Sequence, residues 1–453
     1  MSSATGRGLV IVLACGLGAA CAARAGGHKS YLLPAVEIVA MDAGINVAAR
    51  YVDEPAHYEI SGASIRRNLT HAWVVDDDPF EINQAGHPYQ GAMYHGIARA
   101  NGLNYWQSMA YTFGGSVFWE IVGETTPPSF NDQISTGIGG SFLGEPLYRV
   151  SRLLLERADR GPGIWRTLAS ILVSPSTGLN HVLVGNPDGS FKRDAVPFSD
   201  IRVELGTTAV ATGTRSLSAL SFDRPHLGLS MDYGYPGNAS YRHERPFDYF
   251  RVEADVSSEG LDRLSTRGLI AGADYDAGRL AGMWGLYGSY DYFLPDDFRF
   301  SSTAFSIGTT LQASLSESLV IQSSGLFGAG YAAARALGQR DDRDYHYGIA
   351  PQATVNLRFI TGTRAALDLT ARQYFISNVG GFNTGQNDQI LIGDASLAIR
   401  LAGKHALGLN YQLAGRSSEY LELPDESRSR SRVGVFYTFL GSGGFGAVPS
   451  RRD

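Results

Sequence analysis

The sequence predicts an α+β protein: an N-terminal helical domain followed by an antiparallel transmembrane β-barrel of about twelve strands. Three observations carry that reading. From Ser301 to Leu315, Phe305, Ile307, Leu311 and Leu315 fall on one alternating set and Ser302, Ser306, Thr310, Gln312 and Ser314 on the other, a period of two that only a strand presents as two faces. Its length exceeds a common globular strand of roughly five or six residues and suits a tilted strand crossing a bilayer, which needs about nine to eleven. Finally, tight joints alternate with long polar ones along the second half of the chain, as in outer-membrane barrels.

Alternating segments run near 200–212, 226–236, 246–257, 266–276, 279–293, 300–315, 318–332, 345–361, 364–376, 389–402, 405–417 and 430–440. The tight joints are Asp276 to Arg279, Leu315 to Ser318, Thr361 to Arg364 and Ala402 to His405; only Pro236 to Pro246 is longer than expected on that side. Alternation sends Arg251, Glu253, Arg358, Asp368, Arg372 and Arg400 to the lumen and Val203, Leu229, Val355, Leu369, Ile399 and Leu409 to lipid. Charges of both signs sharing an interior must pair, since unpaired buried charge is costly. The strand Arg432 to Leu440 resembles the aromatic-ended closing strand recognised by barrel-assembly machinery, an expected partner along with outer-membrane lipid. It is followed by a Gly-rich segment, 441–453, that reads as a flexible tail.

Composition agrees: 453 residues with 55 glycines, 23 tyrosines and 18% charged residues fit a glycine- and aromatic-rich β protein. A net charge of -6 and the lack of a basic patch argue against a nucleic-acid partner. Residues 1–25, with Arg7, an apolar run and Ala23-Arg24-Ala25, read as a cleavable signal peptide for export to the outer membrane. Both cysteines, Cys15 and Cys21, lie inside it; a lipoprotein reading of Cys21 lacks the usual bulky aliphatic residue three positions earlier. Disulfides and thiolate metal sites are therefore not expected in the mature chain. No apolar run of 18 residues follows, so transmembrane helices are not expected.

Residues 26–195 read as the helical domain, a plug or periplasmic cap for the barrel. Leu32 to Val52 has an approximate helical stripe, and Asp76-Asp77-Asp78-Pro79 is a turn. Helical spacing puts Gly91, His95 and Arg99 on one face, and a helix from Tyr105 to Glu124 would align Trp106, Phe113, Ser116, Glu120 and Glu124 before Pro127-Pro128 ends it. Ser129 caps the next helix, with Asp132 three residues on. There Thr136, Gly140 and Gly144 recur every fourth residue, which lets another backbone approach closely.

The set Asn83-Gln84, His87-Pro88-Tyr89-Gln90-Gly91, Tyr94-His95, Ala98 to Gly102, Gly115-Ser116, Trp119-Glu120, Pro128-Ser129, Asn131-Asp132 and Gly144-Glu145 through Tyr148-Arg149 resembles the bacterial family known as DUF3943, strongly over residues 75–160. The resemblance implies an outer-membrane-type architecture and little chemistry.

The candidate constellation is His87, His95, Arg99, Ser116, Glu120, Glu124, Asp132, Glu145 and Arg149. Glu120 and Glu124, four apart on one helix, repel unless a cation or proton lies between them. They could coordinate a hard cation with Asp132, act as a raised-pKa acid beside an ionised base, or pair with Arg99 and Arg149 in a structural network with Glu145. Metal ligation by His87 and His95 lacks a clear third ligand. A triad of Ser116, His87 or His95, and Asp132 lacks the G-x-S-x-G context. The Gly137 to Gly144 run lacks dinucleotide spacing, and no cofactor is expected. The functional expectation is a plugged or capped outer-membrane barrel of structural or transport-like role; the alternative is a membrane-embedded lipid hydrolase or acyltransferase.

Overall fold

The computed structural model describes residues 29–52, 55–76, 78–156, 162–184, 198–212, 221–238, 241–294, 298–337, 343–381, 387–421 and 424–448. The expected leader, residues 1–25, lies outside them. The chain forms two compact units that divide at Arg193.

The first unit is helical. Its principal elements are α1 (Leu32–Val52), α2 (Gly62–Thr70), α3 (His87–Ala100), α4 (Tyr105–Phe118), α5 (Gly140–Glu156), α6 (Gly163–Val173) and α7 (Pro175–Val184). Three wider π-helical turns extend them: Ile82–Gly86 leads into α3, Trp119–Gly123 continues α4, and Gln133–Gly139 leads into α5. Such turns are rare and gather at functional sites.

The contact between α3 and α5 is backbone to backbone. A methyl group on Gly91 would lie 2.1 Å from the Thr136 carbonyl oxygen, and one on Gly140 would lie 2.6 Å from the Gly91 Cα. The four-residue recurrence of Thr136, Gly140 and Gly144 thus does what its spacing allows.

The second unit is a closed ring of twelve antiparallel strands: β1 (Ser199–Thr212), β2 (Arg224–Tyr233), β3 (Phe250–Ser257), β4 (Gly260–Asp276), β5 (Leu280–Phe293), β6 (Phe300–Ser316), β7 (Leu319–Arg335), β8 (Tyr345–Thr361), β9 (Ala365–Ile376), β10 (Asn387–Ala402), β11 (His405–Glu419) and β12 (Glu426–Leu440). Neighbours in sequence pair throughout, and β1 closes the ring against β12 with Arg202 opposite Leu440. Outward-facing Ile307 and Phe327 sit opposite one another on β6 and β7, each 65% exposed, while Ser306, Thr310 and Gln312 are buried inside. Closure leaves no sheet edge, and the exposed apolar set forms the surface a bilayer requires.

One connection departs from expectation. β4 begins at Gly260 rather than near 266, and Ser257 pairs directly with Gly260 across a two-residue turn on the side where the longer loops otherwise lie. Gly260 has φ +117°, a conformation in which a side chain would be strained.

The lumen is filled at three levels. Toward the long-loop end, Phe293 and Phe300 stack with ring centroids 4.8 Å apart and pack with Tyr374, Ile376 and Ile390. The middle holds arginine–carboxylate pairs. Toward the short-turn end lies the tail, and here the expectation of a flexible tail is corrected for residues 441–448. Phe445 and Val448 are buried. Gln312 donates from Nε2 to the Val448 carbonyl at 2.8 Å and accepts the Val448 N–H at 2.9 Å; Gln322 Nε2 donates to the Gly446 carbonyl at 2.6 Å. Glycine-rich backbone has exposed amide groups, and the inward glutamines satisfy them.

Candidate functional site

The sequence-predicted polar residues of the helical unit fall largely into two buried centres, each organised by carboxylates. The first is built on Glu145 of α5. Arg149, four residues on, donates from Nε at 2.7 Å, and α3 brings in Arg99 Nε at 2.8 Å and His95 Nε2 at 2.9 Å. Arg99 also donates to the Leu103 carbonyl at 2.6 Å and lies over the Tyr148 ring, 4.7 Å from its centroid. The i,i+4 spacing of His95 and Arg99 on one helix, and of Glu145 and Arg149 on the other, makes the four meet where α3 and α5 touch. Burial alone would raise the Glu145 carboxyl, but the two guanidinium groups and His95 outweigh it and hold the group below its usual range. Burial lowers His95, against the pull of Glu145, so its imidazole is held toward the neutral form.

The second centre lies where the turn after α4 meets the start of the α5 segment. Glu120, Glu124 and Asp132 are buried there. Glu120 accepts the Ser129 N–H at 2.8 Å, and Asn68 donates to the Glu120 and Glu124 carbonyls at 3.2 and 3.1 Å. Ser129 caps as its position predicts: its Oγ accepts the Asp132 N–H at 3.2 Å and donates back to the Asp132 carboxylate. His87 Nε2 stands 3.6 Å from Asp132, and His87 Nδ1 is 3.3 Å from the Thr136 hydroxyl.

Here the electrostatics reverse. Burial, then neighbouring carboxylates, pushes Glu120 up to about 8 and raises Glu124 and Asp132 well above the carboxylate range. Burial likewise lowers His87, partly offset by Asp76. The shift is upward for all three because, among the described residues, no arginine or lysine side chain stands against them to repay the loss of hydration.

The proposed constellation therefore divides. Arg99, Glu145, Arg149 and His95 come together; Glu120 and Glu124, expected in the same network, stand in the other centre. Ser116 is not aligned with a histidine: its hydroxyl accepts from Gln133 Nε2 at 2.7 Å. In the run Ser129–Asp132–His87 the carboxylate sits between serine and histidine, the wrong order for a base to take the serine proton. Among the described residues, no group of three or more His, Cys, Asp or Glu side chains could hold a metal ion, which goes against the hard-cation reading of Glu120, Glu124 and Asp132. Trp106, placed with Ser116 and Glu120 by helical spacing, is instead 55% exposed.

Sequence reasoning missed Asp76, Asn83 and Asn131. Asp76 Oδ1 accepts from Asn83 Nδ2 at 2.6 Å and Asn131 Nδ2 at 3.0 Å, and its N–H donates to Asn131 Oδ1 at 3.0 Å, tying Asp76 to the second centre. The acidic run there signalled only a turn.

In the barrel, the lumen residues form a cross-strand lattice. Arg251 reaches Asp232 at 2.9 Å and Glu253 at 2.8 Å; Arg372 reaches Glu253 at 2.6 Å and Asp394 at 2.7 Å; Arg202 reaches Asp368 at 2.8 Å; and Arg358 bridges Asp232 at 3.3 Å to Asp368. Arg400 spends its guanidinium on the tail, donating to the Gly443 carbonyl at 2.6 Å. The cavity within the lattice measures about 70 Å³, room for a few waters.

A closed twelve-strand ring with a charged interior and an apolar exterior, preceded by a helical unit, defines an outer-membrane β-barrel protein. Residues 72–176, within the helical unit, match the model of a domain of unknown function (DUF3943). No curated protein matches the chain. Solved structures similar to it include the NanC porin, 8% identical over 51% of this chain and 98% of that one with TM-score 0.26. The KdgM porin is 9% identical over 52% and 98%, with TM-score 0.23. Outer membrane phospholipase A from Escherichia coli is 13% identical over 56% and 93%, with TM-score 0.25.

Proposed function

We propose that the protein is a closed outer-membrane barrel with a structural role, holding its helical domain at the membrane rather than passing solutes by diffusion. The observation that carries this reading is the filled lumen. Stacked aromatics close one end, the arginine–carboxylate lattice occupies the middle, and residues 441–448 are clasped by Gln312, Gln322 and Arg400 at the other. A twelve-strand barrel has a narrow interior to begin with, and every described level of it is occupied by the barrel's own chain. Closure in this reading is internal to the barrel.

Conductance in a planar bilayer tests it. The intact protein is expected to be silent, removal of residues 441–453 together with Phe293→Ala, Phe300→Ala and Tyr374→Ala to produce measurable conductance, and removal of residues 80–160 to leave it silent. Steady conductance of the intact protein, or opening on loss of the helical segment alone, would overturn the reading and move the closing element to the helices.

A further inference from the structure

The helices of the first unit carry their polarity reversed. On α1, Leu32, Val36, Val39, Ala43, Val47 and Tyr51 recur at three- to four-residue steps and are exposed, while Glu37, Asp42 and Asn46 are buried beside Leu33, Ile38 and Met41. A helix solvated by water does the opposite. The pattern repeats on α4, which has no charged residue, buries Ser108, Thr112 and Ser116, and exposes Trp106 and Val117. It repeats again on α6, which buries Ser170 and exposes Ile164, Trp165, Leu168 and Leu172.

Charge follows the same division. Among the described residues of this unit, the exposed Lys, Arg, Asp and Glu side chains are Lys29, Glu59, Arg66, Arg67, Glu81 and Glu156, which stand at helix ends, in connections or on the short α2. Arg166 on α6 is half-buried, one turn from the helix start. The flanks of α1, α4 and α6 thus present apolar surface with no exposed charged side chain on it among the described residues.

We infer that this flank is a lipid-contact surface, solvated by the acyl chains of the bilayer that holds the barrel. In water, an apolar surface of this extent is a liability and charges on the buried side of a helix a cost. In lipid both make sense: no hydrophobic force drives helices together, so they meet through small and hydrogen-bonding residues, as Gly91, Gly140, Ser108 and Thr112 do here. Leu32–Tyr51 is 20 residues long, about the thickness of a hydrocarbon core, and its most apolar 18 residues have mean hydropathy 1.5, so this helix is longer and more apolar than the sequence pattern suggested. The chain's own barrel supplies the membrane.

Native tryptophans report on it. The full chain is reconstituted in phosphatidylcholine vesicles with either ordinary or brominated acyl chains, using variants that retain one tryptophan and replace the others with phenylalanine. Trp165 alone, 81% exposed, is expected to lose most of its fluorescence to brominated lipid; Trp119 alone, 5% exposed, is expected to keep it. Quenching of Trp165 by aqueous iodide instead would show a wet surface, and quenching by neither would show a face covered by protein, the barrel or a second copy; either result overturns the inference. Should multiple replacements impair folding, Leu172→Cys in the otherwise cysteine-free mature chain serves instead. It is expected to resist a membrane-impermeant maleimide in vesicles while Arg66→Cys reacts; equal labelling of both overturns the inference.

Discussion

The Glu145 and Glu120 centres bury the same functional group in the same bundle and give it opposite charge states. Glu145 is met by two guanidinium groups from α3 and α5 and stays ionised. Glu120 is met by the Ser129 N–H and Asp132 by the Ser129 hydroxyl, and burial with neighbouring carboxylates raises Glu120, Glu124 and Asp132 above the usual carboxylate range. The difference teaches that burial by itself decides nothing about a carboxylate. What decides is whether the neighbouring helix returns a full positive charge or only dipoles.

The largest effect should come from breaking the charged centre. Glu145→Ala leaves Arg99 and Arg149 buried without their shared carboxylate, and removing one partner of a buried pair typically costs about 3–5 kcal/mol. Hydrogen exchange is expected to show faster opening of α3 and α5, with heat-modifiable migration of the barrel unchanged. If α3 and α5 retain their protection, the node does not hold them.

A smaller effect, of the opposite pH sense, belongs to the second centre. The folded Glu120 carboxyl titrates at about 8, above its ordinary value near 4.5. Between those values the unfolded chain releases a proton that the folded one keeps, so this stabilisation is complete below about pH 4.5 and is lost as pH rises through 8. Glu145, held low, behaves in reverse and loses its contribution as pH falls. Glu120→Gln is therefore expected to flatten the alkaline decline of helical-unit stability, while leaving the acid limb in place. Limited proteolysis against pH reads the difference; an unchanged alkaline limb would mean that Glu120 is already ionised.

The smallest effect sharpens the same contrast. Ser129→Ala removes a helix cap and a donor to Asp132, at a cost of about 1 kcal/mol. Its expected signature is fraying of the Phe130–Asp132 turn with the Glu145 centre untouched, seen as local exchange at Asn131 and Asp132.

Much of this was legible in the linear chain. Period-two alternation located the twelve strands and their lumen charges because a pleat sends successive side chains to opposite faces. The same rule could not foresee that Arg251, Arg358 and Arg372 would share carboxylates across the lumen, since it says which way a residue points and not what stands opposite. Helical spacing joined His95 to Arg99 and Glu145 to Arg149 correctly. It failed for Glu120 and Glu124 because spacing names companions on one helix, not the groups a second helix brings, and because the π-helical turn at Trp119–Gly123 rotates the face. The tail looked flexible because glycines carry no side chain to bury; its anchors are backbone amides meeting Gln312 and Gln322, which lie more than a hundred residues away.

Local pattern alone determined that this chain has a helical part and a long-stranded antiparallel part, that the strands are apolar on one side, and where the tight turns near 277, 317, 362 and 403 fall, since each depends on steric and solvation preferences within a few residues. Three-dimensional packing alone decided which carboxylates keep a proton, what fills the lumen, and which side of each helix faces outward. Those outcomes depend on groups distant in sequence and close in space, where a guanidinium, an amide or nothing at all stands within hydrogen-bonding reach.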